Sequence, residues 1–260
     1  MTGEIPTEIG RLVKIRSLFL FNNQLSGSIP SELGNLENLE SLALANNQLT
    51  GNIPSELGRL ENLRILSLTS NRLTGPIPIE FGQLNQLDGL YLAGNQLTGT
   101  IPGELGEIGS LAVLSLVDNK LTGKIPPELS RPPILQEIYL GNNQLTGSIP
   151  AELANLPYLR YLSLYDNQLT GSIPTELSGL GNLRNLYLHN NNLTGVIDES
   201  LGDFIAKYRF ELYGNNFDCP YPTALLEYFA RKEELCTEGA TGLPIWVLYL
   251  LTKSPQSRDE

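Results

Sequence analysis

The chain has 260 residues, of which 17 are Lys or Arg and 28 are Asp or Glu, for a net charge of -11. That balance argues against nucleic acid, whose phosphates need clustered Lys and Arg, and against anionic membrane surfaces; a cationic or neutral partner fits better. The only two cysteines stand in one C-terminal segment and are compatible with a single disulfide, and so with an oxidising compartment.

One period dominates the chain from its start. Asn23, Asn47, Asn71, Asn95, Asn119, Asn143, Asn167, Asn191 and Asn215 follow one another at intervals of 24 residues, with no insertion or deletion between them. A fixed period in the twenties marks a short unit that cannot bury its own apolar face and stacks on copies of itself. The expectation is therefore one continuous solenoid, with no internal linker. The first unit is partial, because "MTGEIPTEIGRL" matches only the second half of a repeat. Either a leader and cap preceded it, or the start is natural and uncapped; no signal peptide is recognisable in the chain. "IRSLFLF" at 15–21 supplies the first full strand, and if nothing upstream was removed its edge, with Phe19 and Phe21, is expected to associate with a second copy or a partner.

Each later unit reads LxxLxLxxNxLTGxIPxxLGxLxx, as in Leu39, Leu42, Leu44, Asn47, Leu49, Gly51, Ile53, Pro54, Leu57, Gly58 and Leu60. Leu42 and Leu44 alternate with Ala43 and Ala45, a period of two that places one set of side chains inside a strand and the other outside. Stacked copies of that strand make a parallel sheet. The asparagine falls where the strand turns, and its amide both donates and accepts, so the column is expected to satisfy buried backbone groups of the turn. Gly51 suits a tight bend, and Pro54 stops strand pairing from spreading. Glu56 and its equivalents precede "LG", where a short helical turn begins and its dipole favours an acid.

The 24-residue unit with "LTGxIP" resembles the plant-specific class of leucine-rich repeats found in receptor kinase ectodomains and polygalacturonase inhibitors, and the match runs over residues 2–217. The resemblance implies an α/β solenoid: a curved superhelix with a concave parallel β-sheet, an additional strand from "LTGxIP", and short helical or 3-10 turns on the convex side. It also implies ligand binding on the concave or lateral surface. Three departures stand out: Pro132 in "ELSRPPI", Asp198 in "GVIDES" and Lys207 at the head of the ninth strand. The first is expected to distort a convex turn, and the other two to mark the approach to a C-terminal cap over residues 218–260. In that cap Pro222 opens a helix whose apolar side is Leu225, Leu226, Phe229 and Leu235, flanked by Cys219 and Cys236, which are expected to be bridged. The apolar run "LPIWVLYLL" at 243–251 is about half the roughly 20 residues that a membrane helix needs, so it is read as packing material and no membrane insertion is expected. One N-glycosylation sequon occurs, at Asn192. The localisation expected is extracellular or in the secretory pathway.

With the framework assigned, the outward strand positions are where function is written. The residue between the two strand leucines reads Phe19, Ala43, Ser67, Tyr91, Ser115, Tyr139, Ser163, Tyr187 and Glu211, so Tyr and Ser alternate through much of the array. Tyrosines on every second strand stand roughly 10 Å apart, at about 4.8 Å per strand. The next outward column places Tyr165, His189 and Tyr213 together in the C-terminal half. Tyr139, Tyr161, Tyr165, Tyr187, His189 and Tyr213, with Arg160, Arg184 and Arg209, are accordingly the candidate ligand-binding residues, because Tyr and Arg are common interface anchors.

Catalysis is not expected. His189 is the sole histidine, so a Ser-His-Asp triad finds no obvious companion and a two-histidine metal site none at all. "GELGEIG" at 103–109 is not the dinucleotide fingerprint, and no cofactor or metal is implied. Asp118 and Asp166, about 10 Å apart, approach the carboxylate separation of an inverting glycosidase, but an open sheet face offers nothing to raise one pKa. The function expected is a non-catalytic recognition module for a protein or peptide. The alternatives are a regular-array surface for ice or polysaccharide, on which Thr50, Thr74, Thr98, Thr122, Thr146, Thr170 and Thr194 form a row, and a self-associating structural solenoid.

Overall fold

A computed structural model of the chain describes residues 1–207 and 209–231. Among these, nine three-residue strands form one parallel sheet, from Ser17–Phe19 at one edge to Arg209–Glu211 at the other, each paired with its neighbours in sequence. The register holds the repeat period throughout: Tyr139 is paired with Ser115 on one side and Ser163 on the other, and Ser163 in turn with Tyr187. Leu39, Leu42, Leu44, Leu49, Leu57 and Leu60 of one unit are all fully buried, and the units that follow add equivalent residues to one continuous core, against which Ile15, Leu18 and Leu20 of the first full unit are partly buried. Fully burying each such side chain is worth roughly 1.5–3 kcal/mol, which explains why the unit is stable only when stacked.

The asparagine column does what its spacing implies. Asn47 Nδ2 donates to the carbonyls of Leu20 (2.9 Å) and Leu44 (3.0 Å), while its Oδ1 accepts from the N–H of Leu25 (3.0 Å). One side chain thus ties its own repeat to the preceding one. The pattern recurs to Asn215, whose Nδ2 reaches Leu188 O and whose Oδ1 accepts from Leu193 N.

The LTG segments pair in parallel as a second, lateral strip, broken into short sheets such as Thr122–Gly123 with Gln144–Gly147. Gly51 there adopts φ 75°, the conformation that suits the bend to a residue without a Cβ. The convex side consists of 3-10 turns such as Ser55–Arg59, each following a proline and carrying its glutamate in the first turn. Pro132 shortens one of them to four residues, Pro127–Ser130. In the ninth unit the turn is a true α-helix, Glu199–Ile205, because Asp198 caps it by accepting from the Leu201 N–H at 2.7 Å. The departure in "GVIDES" is therefore a helix start as well as the approach to the cap.

Thr223–Leu225 and Leu226–Arg231 then run as a 3-10 turn into an α-helix behind Pro222, with Leu225 and Phe229 buried on the last repeat. Leu235, Cys236 with its expected bridge to Cys219, and the apolar run 243–251 lie outside the described residues. No helix of the described residues is long and apolar enough to cross a membrane.

Candidate ligand-binding site

The outward residues of the sheet sort into two aromatic bands. In the first, tyrosines between the strand leucines fold back along their own strands toward the residue two positions earlier. The Tyr139 hydroxyl donates to Glu137 Oε2 at 3.0 Å, and the Asn185 amide donates to the Tyr187 hydroxyl at 2.9 Å. Tyr91 makes the same fold over Gly89, where a Cβ would stand 2.5 Å from its ring. Tyr161, one strand on from Glu137, brings its ring within 6.0 Å of the Tyr139 ring.

The second band is a stack. The Tyr165 and His189 rings lie 4.9 Å apart and nearly parallel, and His189 and Tyr213 follow at 4.7 Å. Gly141, at the same outward position one repeat earlier, leaves the space into which the Tyr165 ring lies, since a Cβ there would come within 2.4 Å of it. The absence of a side chain in one repeat is what seats the aromatic of the next.

Between the bands lies a depression of about 440 Å³, lined by Val117, Tyr139, Ser163, Tyr165, Tyr187, His189 and Glu211. Its volume falls within the roughly 300–1,000 Å³ of ligand sites. Four of the expected residues therefore line one concavity. Tyr213 joins it through the stack, and Tyr161 flanks Tyr139. The arginines do not line it. Arg160 and Arg184 precede their strands, at the opposite end from Asp118 and Asp166, and the Arg184 guanidinium donates to the Leu183 carbonyl at 2.6 Å. Arg209 opens the last strand.

Glu137, Asn185, Ser163, Val117 and Glu211 belong to the arrangement although the residue pattern does not single them out as ligand contacts. Period-two alternation is the available signal, because Glu137 and Asn185 share a face with the tyrosines two positions on. The electrostatic environment is acidic. Burial raises the pKa of Tyr165, and Asp118 and Asp166 raise it further; Tyr213 is raised by burial and then by Glu211 and Asp166. Tyr139 is raised by burial and by its hydrogen bond to Glu137, and Tyr91 by burial, Glu137 and Asp88. The Nδ1 of His189 stands 3.6 Å from Glu211 Oε2.

Asp118 and Asp166 occupy left-handed backbone, at φ 57° and 49°, in a column where every repeat uses Asn, Asp, Ser or Gly. Each accepts from an asparagine of the following repeat, Asn142 and Asn190, at 2.6 Å. They are turn residues, and their carboxylates link one turn to the next. Asn192 is exposed at the head of a lateral strand.

Stacked parallel strands, a buried asparagine column and a lateral strip of LTG strands define a leucine-rich repeat solenoid. The chain belongs to the leucine-rich repeat family: the family's model matches residues 37–97, 61–121, 109–169 and 133–193, and a second leucine-rich repeat model matches 14–36. Among solved structures it is similar to the ectodomain of the plant membrane receptor kinase GASSHO1/SCHENGEN3 from Arabidopsis thaliana in complex with CASPARIAN STRIP INTEGRITY FACTOR 2. The identity is 38% and the TM-score 0.75, over 87% of this chain and 33% of that one. It is likewise similar to the Arabidopsis receptor kinase HAESA in complex with the peptide hormone IDA and the co-receptor SERK1, at 34% identity and TM-score 0.79 over 89% of this chain and 39% of that one. A plant ice-binding protein matches at 29% identity and TM-score 0.63, over 85% of this chain and 79% of that one. Among curated proteins there is no match. The chain spans well under half the length of the two receptor ectodomains. Like them it is built from stacked leucine-rich repeats.

Proposed function

We propose that the chain is a recognition module that binds a protein or peptide on its concave face, across Tyr139, Tyr165, Tyr187 and the His189 stack. The observation that carries this is the depression between the two aromatic bands, in which rings held by neighbouring side chains line a cavity of about 440 Å³. Aromatic side chains fixed in advance lose little freedom on binding. The GASSHO1/SCHENGEN3 structure in complex with CASPARIAN STRIP INTEGRITY FACTOR 2 and the HAESA structure in complex with the peptide hormone IDA support protein or peptide binding by this fold. An extracellular or secretory-pathway location, with Cys219 bridged to Cys236 and Asn192 as a glycan acceptor, belongs to this proposal. Self-association through Phe19 and Phe21 does not, since that edge strand would be covered by any preceding repeat.

A heptapeptide selected from a random phage-displayed library on the full chain should bind the wild type and lose about tenfold or more of its affinity on the double variant Tyr165→Ala, Tyr187→Ala, as truncated aromatic anchors do. Far-UV circular dichroism should be unchanged, because both rings lie outside the leucine core. Equal affinity for the two proteins would move the site off the concave face.

The threonine row favours a second reading. Thr50, Thr74, Thr98, Thr122, Thr146, Thr170 and Thr194 are all exposed at repeat spacing, and the ice-binding neighbour is matched over most of its own length. On that reading the chain should slow ice recrystallisation at micromolar concentration, and Thr146→Lys should abolish the effect. Crystals that coarsen as in buffer would remove this reading.

A further inference from the structure

The depression on the concave face has an electrostatic character that narrows its ligand. This inference rests on the concave-face reading above and deepens it. Tyr139, Tyr165 and Tyr187 line the depression, and Glu211 is the one carboxylate in its wall. The carboxylates of Asp118 and Asp166 act on the Tyr165 ring, and those of Glu211 and Asp166 on Tyr213; no basic group is among the charges that perturb these tyrosines. The arginines of this half of the sheet stand elsewhere. Arg160, Arg184 and Arg209 are absent from the lining, and Arg184 is already engaged with the Leu183 carbonyl. The whole chain carries a net charge of -11.

Phenol rings present a negative π-face to whatever enters, and a cation beside such a face is attracted more strongly as water is displaced. An anion entering the same space would meet Glu211 and the carboxylates around it, with no arginine or lysine in the lining to compensate. A neutral apolar side chain would fit the rings but leave Glu211 partly desolvated, which costs free energy unless the carboxylate keeps its partners. A cationic group satisfies the rings and the acid together, and a guanidinium has the planar fork that matches a carboxylate.

We propose that the concave depression is the subsite for a basic side chain, an arginine or lysine of a peptide or protein partner, held against Tyr139, Tyr165 and Tyr187 and paired with Glu211. The partner is thus a basic segment, complementary to the acidic solenoid. His189 lines the same depression: its ring is stacked between Tyr165 and Tyr213, and its Nδ1 lies 3.6 Å from the same carboxylate.

The test uses the full chain and the heptapeptides selected on it. Their sequences should be enriched in Arg or Lys. Replacing the arginine of a selected peptide by citrulline, which keeps the shape and removes the charge, should weaken binding about tenfold, the scale of a partly desolvated cation–π contact with an ion pair. Glu211→Gln should weaken the Arg peptide by a similar factor and leave the citrulline peptide unaffected, so that the two changes are not additive. Selected peptides that lack basic residues yet still depend on Tyr165 and Tyr187 would overturn the basic-subsite inference while the concave reading stands. Citrulline peptides that bind as well as their Arg parents would overturn it in the same way. Peptides indifferent to the tyrosine variants, or no selected peptide at all, would overturn the concave reading itself and this inference with it.

Discussion

Replacing Asn143 by Ala should destabilise the chain more than any single surface change, by roughly 3 kcal/mol or more. Asn143 is buried, and its Nδ2 donates to the carbonyls of Leu116 (3.0 Å), Leu140 (3.1 Å) and Gly141 (3.1 Å), while its Oδ1 accepts from the Leu121 N–H at 3.0 Å. Alanine leaves a backbone N–H buried without an acceptor, which alone costs about 1–3 kcal/mol, and removes the donor that three carbonyls share. In a solenoid each repeat is stabilised mainly by its neighbours, so the damage should spread to both sides of the sixth turn and divide the unfolding transition. Urea denaturation followed by circular dichroism reads both effects. Gln144→Ala, at an exposed neighbouring position, should stay within about 0.5 kcal/mol of wild type. If Asn143→Ala behaved like Gln144→Ala, the asparagine column would not be carrying the turns.

The second large effect is expected on the convex side, at a residue with no side chain. A Cβ built on Gly106 would stand 2.2 Å from the carbonyl oxygen of Glu128 in the next turn, a backbone atom that can move only if the two turns separate. Gly106→Ala should therefore cost about 1–3 kcal/mol or more, the range for overpacking in a fixed interior. Gly109→Ala, three residues on, meets nothing within 4 Å. It should be neutral or slightly stabilising, by up to about 1 kcal/mol, through the restricted unfolded chain. The equivalent positions in the next three repeats are Ser130, Ala154 and Ser178, and glycine returns at Gly202, where a Cβ would stand 2.3 Å from the Cβ of Pro222. Equal thermal midpoints for Gly106→Ala and Gly109→Ala would mean that the turns do not touch as described.

What could be read from sequence, and what could not, follows from the range of the interactions. The asparagine spacing and the two-residue alternation are local patterns repeated many times, so they reveal the solenoid, the parallel sheet and the outward columns holding Tyr165, His189 and Tyr213. The fold-back of Tyr139 onto Glu137 and of Tyr187 onto Asn185 depends on which of several rotamers the neighbours accept, and no spacing encodes it. The arginines illustrate the same limit. Arg160 and Arg184 share a repeat position with one another, yet position alone does not reveal that Arg184 turns to the Leu183 carbonyl while the aromatic lining forms without it. Asp198 is visible as a departure from the repeat, but its role as a helix cap emerges only from the Leu201 N–H that donates to it. Asp118 and Asp166 stand out in the sequence as a pair of acids, whereas their left-handed backbone, shared by the whole column from Asn22 to Gly214, shows why short polar residues and glycine stand there.

The most direct measurement of the central claim is a crystal structure of the chain with its selected heptapeptide bound. The account predicts peptide density across the concave sheet, over Tyr139, Tyr165 and Tyr187, with a basic side chain within hydrogen-bonding distance of Glu211. Density along the lateral threonine row or the convex 3-10 turns, with the aromatic depression left to solvent, would contradict it.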